Sequence, residues 1–414
     1  MQTVEAGGLP IGDGHPPRIM GVLNVSERSP YDPSVFADPD NAATYVLEEL
    51  IAEGADVVDV GLESANKRFE VLSAAEELDR LDTALAVLER VEERLDAPDG
   101  PDGVVDPTDG TSGRRPVYSI ETRYHEVAEA ALDGGFDLVN DVCGFADPEL
   151  PAVCEARDAA VVKMASPPDL ERPGAVDSVE EIYDALRRGG FTSKTIVDPA
   201  FGGWSETKTL ADDRETFERL REFRALGRPL LVSINRKNFL CELAGRDTDE
   251  ALPVSLAATS MAVERGAHVV RTHDVAATRD AAIVGDRFAR ERVRRDPVTE
   301  LDVTTVGEAE RHRERVADAT ARERRGDGEA VSGVAEPGAV ARESVSRSFS
   351  LALTGAERSA VLTAAAETTG VVTTAGDRGV YLAGSVAGLE RLAGALDTAP
   401  SVSSAVVEGL ERAL

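Results

Sequence analysis

Eight short apolar runs punctuate the first two thirds of the chain. They are RIMGVLN from Arg18, ADVVDVG from Ala55, PVYSIET from Pro116, FDLVNDV from Phe136, AAVVKMA from Ala159, KTIVDPA from Lys194, RPLLVSI from Arg228 and AHVVRTH from Ala267. Each is short, rich in Val and Ile, and not cleanly alternating, as expected of strands buried on both faces. Segments with apolar residues three or four apart lie between them. NAATYVLEELIAEG stops at Gly54 and RYHEVAEAALDGG at Gly134 and Gly135, and DRETFERLREFRALG and PVSLAATSMAVERG follow the same pattern. Strands alternating with helices in this number predict an α/β fold, a (β/α)8 TIM barrel. A doubly wound open sheet fits less well, because no strand is followed by a G-x-G-x-x-G turn.

Two stretches break the rhythm. LDAPDGPDGVVDPTDGTSGRRP, Leu95 to Pro116, is dense in Gly, Pro and Asp, and reads as an exposed acidic insertion before the third strand. After about Asp302 no barrel strand remains. A charged helix and a flexible linker are expected over 301–344. The remaining residues, 345–414, regain order as a small α+β domain. SRSFSLAL and GVVTTAGDRGVYLAG read as strands, the second a hairpin, and GAERSAVLTAAAETTG and VAGLERLAGAL read as helices. The expected division is thus a barrel over 1–300, with its insertion at 95–116, then the linker and the small domain.

Charge narrows the partners. The 414 residues carry 76 acidic against 45 basic side chains, a net charge of −31, and only five of the cations are lysines. Such a surface repels nucleic acid and anionic membrane, and it marks a protein kept soluble in concentrated salt. The three cysteines, Cys143, Cys154 and Cys241, have no C-x-x-C spacing and suit buried thiols in a reducing compartment. The start has no basic segment followed by an apolar one, and no run approaches eighteen apolar residues. A soluble cytoplasmic protein is expected.

The strands end in polar residues. In order these are Asn24; Glu63 with Ser64; Glu121 with Thr122; Asn140 with Asp141; Lys163 with Met164; Asp198; Asn235, Arg236 and Lys237; and Arg271, His273 and Asp274. One polar strand end is usually a turn cap or a core hydrogen bond. Eight together on the face where barrels hold their chemistry predict a site. Arg271 and His273 alternate, so both point to one side, and an Arg with a second donor suits an anionic phosphate. Asn24 offers a neutral oxygen of the kind Mg²⁺ accepts beside phosphate. An Asp–Asn–Lys set from Asp198, Asn140 and Lys237 matches the donor and acceptor edge of a fused nitrogen heterocycle such as a pterin. Asp141 and Asp274 read equally well as orienting carboxylates or loop caps.

IMGVLNVS, GADVVDVGLES, SIET, LVNDVCG, VVKM, IVDPAFG, VSINRKNF and VVRTHDV together resemble, in order and spacing, the motifs of the dihydropteroate synthase family. The resemblance runs from Arg18 to Ala289 and does not cover the C-terminal domain. It implies a transferase that joins 4-aminobenzoate to a hydroxymethyl-dihydropterin diphosphate and releases pyrophosphate. It also implies Mg²⁺ held by Asn24, a diphosphate held by Arg271 and His273, and a pterin read by Asp198, Asn140 and Lys237. Met164 would pack on the pterin, Glu63 would lie among the substrate contacts, and Glu121 stands where the family usually has Asp. A homodimer is implied as well.

Two loops depart from the family. SERSPYD follows Asn24 and Val25, and ANKR follows Ser64, so a changed mode of acceptor recognition is expected, with Lys67 or Arg68 as the candidate cation for the aminobenzoate carboxylate. Two other readings keep the pterin groups. One is a methyltransferase using a methylated reduced folate, which needs no diphosphate pair or Mg²⁺. The other is a non-catalytic pterin-binding protein. The charge yields a direct test: below roughly 0.5 M salt, where screening of the acidic surface fades, structure or activity should be lost. Circular dichroism across a KCl series checks this, and full stability in dilute buffer contradicts a salt-adapted surface.

Overall fold

The computed structural model describes residues 2–25, 34–63, 71–97, 115–202, 208–289, 294–295, 298–299, 303–323, 337–353, 355–376 and 379–414. They form two compact units, Met1–Arg290 and Glu291–Leu414.

The first unit opens with an element the hydrophobic pattern did not reveal. Strands β1 (Val4–Ala6) and β2 (Leu9–Ile11) form an antiparallel hairpin, and Gly7 and Gly8 turn it with positive φ. Its inward residues Val4, Ala6, Leu9 and Ile11 are buried against Met20, Val57, Val117, Leu138, Ala160, Ile196, Leu231 and Val269. Those eight residues come from eight different strands, near their N-terminal ends. The hairpin therefore plugs the lower end of a barrel, where an open ring of apolar side chains would otherwise meet water.

All eight expected strands are present: β3 (Arg18–Asn24), β4 (Val57–Gly61), β5 (Val117–Thr122), β6 (Leu138–Asp141), β7 (Ala160–Met164), β8 (Thr195–Asp198), β9 (Leu231–Val232) and β10 (Val269–Thr272). They pair in parallel in the order β8-β7-β6-β5-β4-β3-β10-β9. A single bridge, Val197 to Leu230, closes the ring. Closure is thin because β9 is two residues long and is preceded by Pro229, which has no N–H to donate.

Alternation along each strand then divides the side chains. Val58, Val60, Ile120, Val139, Val161, Val197 and Val270 face outward into one large cluster with the surrounding helices. Around the ring run α1 (Pro39–Tyr45), α2 (Ala74–Leu95), α3 (His125–Asp133), α4 (Leu150–Ala156), α5 (Val179–Arg187), α6 (Leu210–Glu218), α7 (Asn238–Ala244), α8 (Leu252–Glu264) and α9 (Val275–Arg287). Ser73 and Glu76 form a capping box at the start of α2, and Ser178 and Thr209 cap α5 and α6. Most of the insertion before β5 lies outside the described residues. No described helix is long and apolar enough to cross a membrane.

The second unit begins with a two-residue ladder, β11 (Arg294–Arg295) with β12 (Val298–Thr299), and a charged helix, α10 (Val306–Glu323). Within the stretch expected to be a flexible linker, Pro337–Ser344 is a helix, α11. It is ordered because Ala341 and the adjoining Val345 bury themselves with Ala309 and Val386. Strands β13 (Ser346–Leu351), β14 (Val371–Gly376) and β15 (Gly379–Ser385) form an antiparallel sheet in the order β13-β15-β14. Helices α12 (Gly355–Glu367), α13 (Val386–Asp397) and α14 (Ser404–Ala413) bury Val361, Leu389, Leu392 and Leu410 with Val380 and Leu382 of β15.

The plug can be tested by truncating one residue. Ile11 is fully buried, so Ile11→Ala should cost about 2–5 kcal/mol of stability. Denaturant unfolding at constant high salt checks this, and a loss below about 0.5 kcal/mol, typical of surface substitutions, would show that the hairpin does not seal the barrel.

Candidate active site at the barrel mouth

The inward positions that are apolar near the N-terminal ends of the strands become polar near the other end. On β4 the alternation that turns Val57 inward also turns Asp59 inward. On β5 it turns Ser119 and Glu121 inward, on β6 Asn140, on β8 Asp198 and on β10 Arg271. Asp59, fully buried, is the hub. Its Oδ1 accepts from Ser119 Oγ at 2.5 Å, and its Oδ2 accepts from Asn140 Nδ2 at 3.0 Å and Arg271 Nε at 2.7 Å. Arg271 also donates from Nη2 to Glu121 Oε2 at 2.8 Å. Four strands thereby fix one guanidinium, one amide and two carboxylates.

Asp59 and Ser119 were not among the candidates read from the strand ends. A signal was present in VVDVG: an Asp two residues from Val57, in an otherwise apolar strand, shares the face of its neighbour two positions away. The parity also sorts the polar strand ends, because neighbours along a strand point to opposite sides. Lys163 lies on the outward side of β7, buried, where its ammonium donates to Gly190 O at 3.0 Å and to Arg188 O, and sits 4.5 Å from the Phe145 ring. Asp141, also outward, accepts from the backbone N–H of Cys143 and Phe145 and shapes the turn after β6. Thr122 faces outward too and donates to Glu77 at 2.5 Å.

Two glycines make room for candidate groups. Asn24 ends β3, its Nδ2 donating to Ser34 Oγ at 3.0 Å and its Oδ1 on the other side of the amide. A Cβ on Gly61 would lie 2.8 Å from that Oδ1. Gly202, at φ +120°, has Lys237 Nζ 2.9 Å from where its Cβ would be. The loop carrying Gly202 is braced from behind: buried Lys208 donates to Ala200 O at 2.5 Å and pairs with Asp213 at 3.2 Å. Asp198 Oδ1 accepts from Ala200 N at 2.8 Å. Asn235 and Arg236 grip Asp274, which accepts from Asn235 Nδ2 at 3.0 Å and from Arg236 Nε and Nη2 at 2.8 and 2.9 Å. Met164 is buried in the large hydrophobic cluster. Glu63 accepts from Arg123 Nη2 at 2.7 Å on the rim. Lys67 and Arg68 lie outside the described residues, as does Ser64.

Desolvation sets the protonation of the mouth. Burial pushes the Asp198 carboxyl up to about 6, with Lys237 and Arg271 opposing the rise. Burial, reinforced by the Arg271 charge, lowers the Lys237 ammonium to about 8. The same two causes lower His273 to about 3. Glu121 is raised by burial and pulled back by Arg271. Burial works against the charge of Arg271, but Asp59 and Glu121 more than offset it and hold it firmly protonated. At neutral pH the mouth thus presents an ionised Asp198, a charged Lys237 and Arg271, and a neutral imidazole. Cys143, pushed up to about 12 by burial, is no nucleophile.

A barrel whose carboxyl-terminal mouth gathers one Arg, one Lys, an amide and several buried carboxylates is built for a polar, planar ligand with an anionic group. Residues 20–98 and 108–273 match the family of pterin binding enzymes, and the chain belongs to that family. The individual relatives along the same region are similar to it as dihydropteroate synthases. The type-1 dihydropteroate synthase of Escherichia coli is 30% identical over 292 residues, covering 67% of this chain and 95% of that one. The dihydropteroate synthase of Thermus thermophilus, solved in complex with 4-aminobenzoate, is 30% identical with a TM-score of 0.53, covering 69% of this chain and all of that one. That of Coxiella burnetii, in complex with pteroic acid, is 26% identical with a TM-score of 0.54, covering 69% and 98%. A probable bifunctional folylpolyglutamate synthase/dihydropteroate synthase of Halobacterium salinarum is 33% identical over 275 residues; the match takes in 64% of this chain but only 30% of that longer protein.

The electrostatics predict an observable imidazole. His273 should stay unprotonated throughout pH 5–8, where an ordinary His titrates near 6.5. By linkage the unfolded chain takes up a proton near pH 6.5 that the folded chain refuses until about 3, so this residue subtracts stability as pH falls from 6.5 toward 3. Imidazole NMR with His273→Asn as the assignment control checks it; a midpoint near 6.5 would place His273 in water.

Proposed function

We propose that this chain is a dihydropteroate synthase: a transferase that condenses 6-hydroxymethyl-7,8-dihydropterin diphosphate with 4-aminobenzoate or a related aryl amine. The amine nitrogen bonds to the exocyclic methylene carbon, the carbon–oxygen bond to the diphosphate breaks, and the amine proton passes to solvent. The observation that carries this reading is the Asp59 hub, which holds Asn140 and Arg271 at fixed positions beside Asp198 and Lys237. Preorganised groups of this kind lose little entropy when a heterocycle arrives.

In this reading Asp198 accepts hydrogen bonds from the pterin ring, Lys237 donates to it, Asn140 contributes its amide, and Met164 packs nearby. Glu121, one methylene longer than the Asp usual in the family, keeps a carboxylate within reach. Arg271 presents charge and His273 a neutral N–H toward the diphosphate. Glu63 acts at the rim, and Lys67 or Arg68 serves the acceptor's carboxylate. Asn24, whose Oδ1 has room because residue 61 is glycine, offers a neutral oxygen that fits a hard cation taking its other ligands from phosphate and water. Mg²⁺ held there would neutralise charge on the departing diphosphate. The same reading includes a salt-adapted cytoplasmic setting, in keeping with three buried free cysteines, and a homodimer.

The direct test is pyrophosphate release by purified protein at high salt with dihydropterin diphosphate, Mg²⁺ and a panel of aryl amines; no release with any amine rejects the assignment. Two quantitative expectations accompany it. Pterin binding that needs ionised Asp198 and charged Lys237 should give a bell-shaped kcat/KM for the pterin diphosphate, falling below about pH 6 and above about pH 8. A profile that keeps only one limb would remove one of these groups from the site, and one flat from about pH 5 to about pH 9 would remove both. Arg271→Lys keeps a charge for Asp59 and Glu121 but loses the planar fork. It should weaken the pterin diphosphate by about 1.5–3 kcal/mol and the pterin alcohol by much less. Calorimetric binding of both ligands checks this, and equal losses would move Arg271 away from the phosphate.

A further inference from the structure

Around the rim of the mouth, one residue ties together three of the connections that leave the strand ends. Arg123 follows β5 directly and is only 4% exposed. Its Nη2 donates to Glu63 Oε2 at 2.7 Å, at the start of the β4–α2 connection. Its Nη1 donates to Leu170 O at 2.7 Å, in the connection after β7. The next residue, Tyr124, donates its hydroxyl to Leu72 O at 2.6 Å, at the other end of the β4–α2 connection. Glu63 Oε1 accepts from Leu72 N at 3.1 Å, joining the two ends to each other. Arg80 Nη1 adds a bond to Leu62 O at 2.7 Å. A two-residue step off β5 thus fixes both feet of the connection that leaves β4.

This arrangement is not what stability alone would select. Among the described residues, Arg123 Nε is buried without an acceptor. A buried donor left unpaired costs about 1–3 kcal/mol, and a buried Arg–Glu pair is weak evidence for stability in any case. The arrangement does specify geometry, since a planar guanidinium with two arms on different loops sets their separation. Its place is informative too. The hub, Asp198 and Lys237 occupy the interior of the mouth, whereas Glu63, Leu72 and Leu170 stand on connections at its edge. In a barrel those connections contact whatever extends beyond the buried part of the ligand.

We propose that Arg123, assisted by Tyr124, is a positioning residue that sets affinity for the second substrate, the aryl amine, and leaves that for the pterin diphosphate untouched. The proposal rests on the synthase reading for its substrates but not for its geometry, and two measurements keep these apart. Steady-state kinetics of Arg123→Met at high salt should raise KM for 4-aminobenzoate about tenfold or more, the scale of one lost charge-assisted hydrogen bond. KM for the pterin diphosphate should stay within about twofold. Arg123→Lys keeps the charge facing Glu63 but loses the second arm, and should fall between; Tyr124→Phe frees only the Leu72 foot and should give the smallest rise.

Hydrogen exchange of the same variants reads the latch without turnover. The Leu72 amide, protected by Glu63, should exchange faster in Arg123→Met and less so in Arg123→Lys, with the β6 and β8 amides unchanged. A parallel rise in both KM values, or no rise in either, overturns the role in acceptor affinity. Unchanged exchange at Leu72 overturns the latch itself. A wild type that releases no pyrophosphate rejects the synthase reading and with it the acceptor role, while the exchange result still decides whether Arg123 holds the rim.

Discussion

The mouth of this barrel is organised by one buried carboxylate. Asp59 has no contact with solvent, so its charge is tolerable only with its oxygens satisfied, and Ser119, Asn140 and Arg271 satisfy them. The dependence is mutual. Arg271 stays charged in a desolvated site because Asp59 and Glu121 flank it. Breaking such a pair from one side typically costs about 3–5 kcal/mol, because the remaining charge is stranded. Arg271 in turn helps lower Lys237 and His273. Burial contributes the larger share of these shifts, and the Arg271 charge that adds to them is held by one Asp in the middle of one strand.

Stability and chemistry are separated along the barrel axis. At the lower end the inward residues are aliphatic and the N-terminal hairpin seals them. Toward the other end the same inward positions carry polar groups, and polarity is tolerated because the ring of strands places partners around them. Gly61 and Gly202 belong to this division. They contribute no packing but leave the volume that Asn24 and Lys237 occupy, so neither group has to shift out of the mouth.

The rim follows a different rule from the interior. Inside, groups are held by strands whose positions the backbone ladder fixes. At the edge, connections have no ladder, and their places depend on individual side-chain bonds such as those of Arg123 and Tyr124.

The sequence by itself determined the barrel, because eight apolar runs alternating with helical periodicity allow few other architectures, and it marked the face on which polar groups gather, because strand ends are legible as polar residues after apolar ones. It also contained Asn24, Asn140, Asp198, Lys237, Arg271 and His273 at those ends. Tertiary structure decided which polar ends face the mouth. Lys163 and Asp141 stand one residue from Met164 and Asn140 yet turn outward, because neighbours along a strand point to opposite sides. It also decided the hub, since Asp59 reads as an anomaly in a strand until residues 60, 81 and 212 positions away converge on it. The hairpin plug was hidden for a related reason: its two strands are three residues long, each with only two apolar positions, and only an open barrel end gives them something to bury.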